Sequence, residues 1–494
     1  MEKSVKIDRK NRTSLDGVPF GEKREAPYIG RELRRLELPE NVTHGMLYRD
    51  IFRIAWPSFL ELLLTQLTSM ADQIMVGHLP GQTGVQGLSA IGITTLPKFL
   101  MMTLVAALNV GSTAVVARYR GRGEQGRVNE VLRQALVLNF LLSVLFMLAG
   151  LLLAPQLLRM MGGSGISREA YAFALQYFRI QMYGFVPLCM TFTITALLRG
   201  IGDSRNPLIY NTLANVVNVI FNYLLIFGSF GFPRMQVAGA SLATVIGQNV
   251  AFVFALVMIL NPKRYMHLEN RTRFRFDPVI VRNIVRIGFP SMVEQLFMRL
   301  GIIIYTRTVI GLGDTAYATH QICMNIQTMT FMVGQAFSNA ATTLTGQSLG
   351  KRRYDMAVNY AHDARNIGIL VSLMVSYVMI CHGRTVVSLY TSIPEIIEKG
   401  GSLLIMVGLT QPPQVVQYIY AGSLRGAGDT KFTAFTMLVT CMILRSGLSV
   451  LLVSRMKMGL IGAWYALVAD QLVRSLMIVL HYRTGKWSRI RLRE

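Results

Sequence analysis

LRGIGDS, residues 198–204, returns as LRGAGDT at residues 424–430, an offset of 226. Upstream of each copy lies a second echo. WPSFLE from Trp56 and FPSMVE from Phe289 place Pro57 over Pro290 and Glu61 over Glu294 at an offset of 233. Between them, residues 118–121 can be laid on residues 347–350 at an offset of 229. Three matches in one order at nearly one offset mark an internal duplication.

The medium in which the duplicated unit folds follows from composition. Of 494 residues 52% are hydrophobic and 15% charged, against about 25% charged in ordinary soluble domains. Apolar stretches of about 20 residues, enough to cross about 30 Å of hydrocarbon, follow one another from Ile51 to Tyr482. At that depth a run this long satisfies its backbone groups only as a helix. The spans fall near 51–76, 88–117, 132–155, 171–198, 207–229, 237–260, 284–310, 316–345, 366–389, 395–423, 431–454 and 459–482. Each duplicated unit then holds six spans, an even number, so both enter the membrane from the same side. The repeat is parallel, with its symmetry axis along the membrane normal. The expected fold is an all-α membrane protein with twelve transmembrane helices in two parallel-repeat six-helix bundles around a central cavity. Its parts would be a basic N-terminal tail (1–50), an N-lobe (51–260), a linker (261–283), a C-lobe (284–482) and a C-terminal tail (483–494).

The formal net charge is +24, and its distribution decides what it means. Of 50 Lys and Arg, 33 lie in the termini and even-numbered loops, 5 in the odd loops and 12 within the spans. That asymmetry is the positive-inside pattern and predicts both termini in the cytoplasm of a cell inner (plasma) membrane protein. It also suits contact with anionic lipid. No soluble domain is long enough to present a nucleic-acid face, and nothing in the chain asks for more than a monomer. The tail, with basic runs at 6–12 and 31–35, contains no signal-peptide core. It reads as solvated, with an amphipathic stretch near 32–47. Cys189, Cys323, Cys381 and Cys441 are scattered through the spans and form neither a disulfide framework nor a metal motif.

In each LRGxGD stretch the glycines permit a tight turn between helices. Asp203 and Asp429 are placed to cap the next helix, and Arg199 and Arg425 can reach helix-end carbonyls or phosphates.

At these residues the chain resembles the multidrug and toxic compound extrusion (MATE) family of antiporters. The resemblance runs from about Arg49 to Tyr482. It is carried by MADQIMVG from Met70, the Gly-ended loop at 118–121, NVVNVIFNYLLIFG from Asn215, the Pro-x-x-x-Glu of the seventh span and the paired LRGxGD turns. It implies efflux of amphipathic, often cationic compounds in exchange for H⁺ or Na⁺, with no cofactor.

A carboxylate within a span costs about 2.5–3.5 kcal/mol on insertion scales and usually faces a cavity with a task. The candidates are Glu61, Asp72, Glu294 and Asp470. Asp470 lies one turn before Arg474 and is expected to pair with it. The resemblance gives Asp72 the role of coupling-cation residue. Asn215, Asn218 and Asn222 share one face of the fifth span and, with Thr244, can supply oxygens to Na⁺ or bond a protonated Asp72; a plain polar seam between helices is the alternative. Glu294 matches the seventh-span glutamate of the NorM-like branch. Gln414, however, stands where that branch has a second carboxylate, and Asn222 where the DinF-like branch tends to carry Asp. Proton coupling through Asp72 and Glu294 is therefore favoured over Na⁺. Glu61, Gln414, Gln417 and Tyr418 are candidates to meet substrate, and the many Met and aromatic residues could add an adaptable wall. Lys98, Arg179, Arg299, Arg307, Arg445 and Arg474 lie within spans; were Lys98 or Arg307 to face the cavity, an anionic or zwitterionic substrate becomes more credible. A lipid-linked-precursor flippase is the alternative transport reading. No phosphate-cradling loop supports an ATPase, and the scattered histidines do not support a membrane enzyme.

Overall fold

The structure, a computed structural model, describes residues 13–20, 36–162, 167–269 and 275–491. The basic runs at 6–12 and 31–35 lie outside the described residues. Twelve long helical elements follow in order: α1 (His44–Gly77), α2 (Gln82–Arg122), α3 (Gln125–Gly162), α4, α5 (Arg205–Phe227), α6 (Gln236–Leu260), α7 (Pro278–Ile310), α8 (Asp314–Gly350), α9 (Tyr354–Ser388), α10 (Pro394–Ala427), α11 (Thr430–Arg455) and α12 (Gly459–Arg483). Element α4 is two pieces, Arg168–Tyr183 and Phe185–Gly200, bent by 51° at Gly184. Each element holds one expected span, with 207–229 and 366–389 running past the ends of α5 and α9 by two residues and one, and no strand occurs among the described residues.

Eight of these helices are long and apolar enough to cross a membrane, or nine with the bent pair. The exceptions, α1, α8 and α10, have ample length. Polar side chains in mid-helix lower their hydropathy: Glu61, Gln66 and Asp72 on α1, His320, Asn325 and Gln327 on α8, and Gln411, Gln414 and Gln417 on α10. Along α3, by contrast, Leu141, Leu145, Leu148 and Leu152 form an exposed apolar stripe at helical spacing, the face a bilayer would cover.

The chain divides into two compact units. One contains Leu60–Val116 and Glu124–Val285. The other contains Arg12–Phe59, Ala117–Gly123 and Arg286–Glu494. The division does not fall at the linker alone, since the start of α1, as far as Phe59, and the last turn of α2 group with the C-terminal helices.

Lipid tails are as apolar as leucine, so helix association here depends on close packing and interhelical hydrogen bonds. Both units use the same device. In the first, Thr113 Oγ1 donates to the Ala196 carbonyl at 3.1 Å, and a Cβ on Gly200 would press on the Thr113 carbonyl. In the second, Thr342 Oγ1 donates to the Gly422 carbonyl at 2.9 Å, and a Cβ on Gly426 would collide with the Thr342 carbonyl. These are the same positions at offsets of 229 and 226. The LRGxGD turns follow at once. Gly202 has φ of 90° and Gly428 of 84°, a left-handed conformation costly for any residue with a Cβ.

Within the second unit two further glycines cross reciprocally: Gly121 lies on the Gln347 carbonyl and Gly350 on the Arg118 carbonyl. These are the segments the repeat superimposes. Arg118 reinforces the crossing by donating to the carbonyls of Ala427 at 2.5 Å and Ile490 at 2.8 Å.

Residues 13–20 correct the solvated reading of the tail. Leu15 and Val18 are buried with Leu47, Ile51, Phe337 and Leu344. Ser14 N donates to Asp50 Oδ2 at 2.7 Å, and Arg120 pairs with Asp16 at 3.0 Å. Lys351 donates to the carbonyls of Leu15 and Val18, and burial there pushes its ammonium pKa down. A strap of two apolar residues is too short to leave a periodic signal, which is why sequence alone passes over it.

Candidate functional site

In the first unit, α5 presents Asn218 and Asn222 one turn apart, both buried, toward half-buried Asp72 on α1. Asn222 Nδ2 donates to Asp72 Oδ1 and, at 3.0 Å, to Asn218 Oδ1. Asn218 Nδ2 donates to Thr244 Oγ1 at 3.2 Å, and Thr244 Oγ1 donates to the Ala240 carbonyl at 2.9 Å. The result is an unbroken polar chain from the carboxylate through two amides to a hydroxyl on α6. Asn215, expected in the same set, does not join it: its Nδ2 is buried without a partner among the described residues.

Lys98 on α2 completes the electrostatics. Its ammonium donates to Gln181 Oε1 at 2.5 Å and interacts with the charge of Asp72. Nothing in sequence spacing joins Lys98 to Asp72, because the link runs through the fold of α2 against α4. No group of three or more His, Cys, Asp or Glu side chains able to hold a metal occurs among the described residues.

The other acids have different surroundings. Glu61 Oε2 lies 2.7 Å from Arg199 and its Oε1 accepts from Asn211 at 2.7 Å. Glu294 Oε1 accepts from Arg425, and its Oε2 accepts from Thr433 at 2.8 Å. Each glutamate of the repeat is thus held by the arginine of its own LRGxGD turn. The arginines, expected to reach helix-end carbonyls or phosphates, each pair with a carboxylate, and Glu61 and Glu294 are both held in this way. The signal was available, since positions 61 and 199 recur together as 294 and 425. The capping expectation is half met: Asp203 accepts from the Asn206 backbone N–H at 3.2 Å, whereas Asp429 pairs with His481 at 2.7 Å and caps nothing.

In the second unit Asp470 is fully buried and takes Arg474, as expected, at 2.5 Å. It also takes Arg445 at 2.5 Å, so one carboxylate faces two guanidiniums. Gln414 and Gln417 are buried; among the described residues Gln414 has neither amide atom partnered, and Gln417 lacks a partner at Oε1. Half-buried Tyr418 stacks at a tilt on Phe331, ring centroids 6.0 Å apart. Arg307 borders an open pocket of about 490 Å³ with Ile304 and Val450, and Arg179 is exposed.

The geometry has parallels in known proteins. The MatE family model matches residues 57–224 and 290–451, one segment per repeat. A probable multidrug resistance protein NorM of Thermotoga maritima is 25% identical over 457 residues, covering 92% of this chain and 95% of its own. The uncharacterized transporter YisQ of Bacillus subtilis is 25% identical over 441 residues, covering 89% and 94%. Among solved structures, the outward-facing conformation of a multidrug resistance MATE family transporter of the MOP superfamily superimposes with a TM-score of 0.82 at 22% identity, covering 91% of this chain and 99% of that one.

Proposed function

The chain belongs to the MatE family of membrane transporters, and on that premise we propose that it exports amphipathic organic compounds in exchange for protons, by alternating access. The Asp72–Asn222–Asn218–Thr244 chain is the coupling site. The relatives named as multidrug resistance proteins support the substrate class. The bias of Lys and Arg supports an inner-membrane protein with both termini in the cytoplasm.

The observation that carries the choice of proton is the set of amide and hydroxyl bonds about Asp72, which leaves few oxygens open to an ion. A Na⁺ ion seeks several oxygens in one shell. Here the Asn218 oxygen accepts from Asn222, and the Thr244 hydroxyl accepts from Asn218 and donates to the Ala240 carbonyl, so that beside Asp72 only Asn222 Oδ1 stands open in this set among the described residues. A proton needs only Asp72. Once protonated, the carboxyl can donate to Asn222 Oδ1, which is buried and unpartnered. Protonation removes the charge that attracts Lys98 and Asn222, and so alters the hold of α1 on α2 and α5. Glu61 and Glu294 act here as structural partners of Arg199 and Arg425, not as proton carriers.

The test is uptake by reconstituted protein under separately imposed pH and Na⁺ gradients. A pH gradient is expected to drive wild-type transport and to lose its effect in Asp72→Asn. Wild-type rates in Asp72→Asn, or full uptake on a Na⁺ gradient alone, would overturn the assignment.

A further inference from the structure

The second unit holds a polar box that starts from the counterpart of Asp72 and draws on the helices that repeat α2, α5 and α6. Tyr305 stands at the repeat position of Asp72, offset 233, on α7. On α12, Gly462-Ala463-x-x-Ala466-x-x-x-x-Gln471 repeats Gly239-Ala240-x-x-Ala243-x-x-x-x-Gln248 of α6, which places Trp464 over Ser241. Arg445 comes from α11, the counterpart of α5. The Tyr305 ring lies 5.5 Å from that of His320, which lies 5.7 Å from Trp464; the Arg445 guanidinium sits 5.7 Å over Tyr305.

All four side chains are buried, and each has a polar atom without a partner among the described residues: Tyr305 Oη, His320 Nδ1, Trp464 Nε1 and Arg445 Nε. The tryptophan and arginine nitrogens can only donate, and the hydroxyl and a neutral imidazole can also donate. An unmade buried donor costs about 1–3 kcal/mol, more than packing alone would favour at four neighbouring positions. Charge points the same way. Arg445 and Arg474 face the single carboxylate of Asp470, and the other ionisable groups about Arg445, which are Tyr305, His320, Tyr418 and Cys441, carry no negative charge at neutral pH by their ordinary values. Two cations against one anion, with donors lacking acceptors, ask for an anionic acceptor. The α11 segment that delivers Arg445 is wound as a π-helix over Leu438–Arg445, a distortion frequent at functional sites.

We propose that this box binds a carboxylate group of the transported compound, an inference that rests on the export reading above and extends its substrates to zwitterions and organic anions. The carboxylate accepts from Arg445 Nε, Trp464 Nε1 and Tyr305 Oη, and the aromatic walls take the apolar body beside it.

The full chain, purified in detergent, is heated with benzoate, with its neutral isostere benzamide, or with chloride at matched ionic strength. Benzoate is expected to raise the unfolding temperature saturably, while benzamide and chloride do not. Tyr305→Phe and Trp464→Phe keep most of the ring volume and remove one donor each. Each should weaken apparent benzoate affinity about tenfold, the worth of one hydrogen bond to a charged group. Equal stabilisation by benzamide, saturation by chloride in place of benzoate, or unchanged benzoate affinity in both variants would overturn the proposal. Asp72→Asn separates the two readings. If the export reading alone fails, benzoate still binds and no gradient drives uptake; if the box alone fails, gradient-driven uptake of a cationic dye persists without benzoate binding.

Discussion

The helix that contains Pro57 brings Asp72 to the amide of Asn222; its repeat, the helix that contains Pro290, brings Tyr305 under the guanidinium of Arg445. Around these two points the halves agree closely. Each has a glutamate four residues after the proline, held by the arginine of its LRGxGD turn. Each has a threonine hydroxyl tied to a carbonyl across a glycine crossing. What duplication kept is the packing, because a side chain at Gly200 or Gly426 has nowhere to go. What it released is the chemistry at mid-helix, where a polar group needs only a partner of opposite kind. An acid with amides in one half and arginines with unpaired donors in the other are two solutions on one scaffold.

The largest effect that would separate the halves is on exchange. Asp72→Asn should reduce gradient-driven uptake of a cationic dye at least tenfold at equal expression, whereas Tyr305→Phe should leave it near wild type. If both substitutions were equally damaging, the division of labour between the halves would not stand.

Next in size are the paired glutamates. Glu61→Gln and Glu294→Gln each leave a half-buried arginine without its carboxylate and should cost about 2 kcal/mol of stability, seen as a lower unfolding temperature in detergent. Glu294→Gln should also lower drug resistance in cells through lost folded protein. Adding Arg425→Met to Glu294→Gln should recover much of the stability and, with it, transport. A double variant that is stable yet inactive would return Glu294 to the coupling machinery.

Leu15→Ala removes an anchor that the described residues supply to the second unit alone, and should cost about 2 kcal/mol by lost burial. The smallest effects belong to the turns: Gly202→Ala and Gly428→Ala should each cost about 1 kcal/mol, and by equal amounts, because both residues hold positive φ. Clearly unequal losses would show that the two turns are not equivalent.

Much of this architecture is legible in the residues. All twelve spans coincide with helical elements to within two residues because apolar length is a strong signal, and the Asp470–Arg474 pair follows from i, i+4 spacing alone. The contact of Asn222 with Asp72 was anticipated through the ladder of asparagines, though Asn215 falls outside it. What spacing hides is partnership between distant helices. Lys98 finds Gln181 across 83 positions, and Arg445 finds Asp470 on the next helix. Nor could hydropathy suggest that His320, Tyr305 and Trp464 meet, since each reads singly as a core aromatic.

The π winding of α11 bears on how the repeat itself should be read. An α-helix advances each residue by about 100° around its axis, so a segment wound more loosely over Leu438–Arg445 brings every later side chain to a different azimuth. Beyond it, a residue matched to α5 by counting from the shared turn no longer looks in the same direction as its namesake. The halves are therefore twins in number but not in phase, and a fixed offset loses track of which α11 residue faces the interior where the chemistry has diverged.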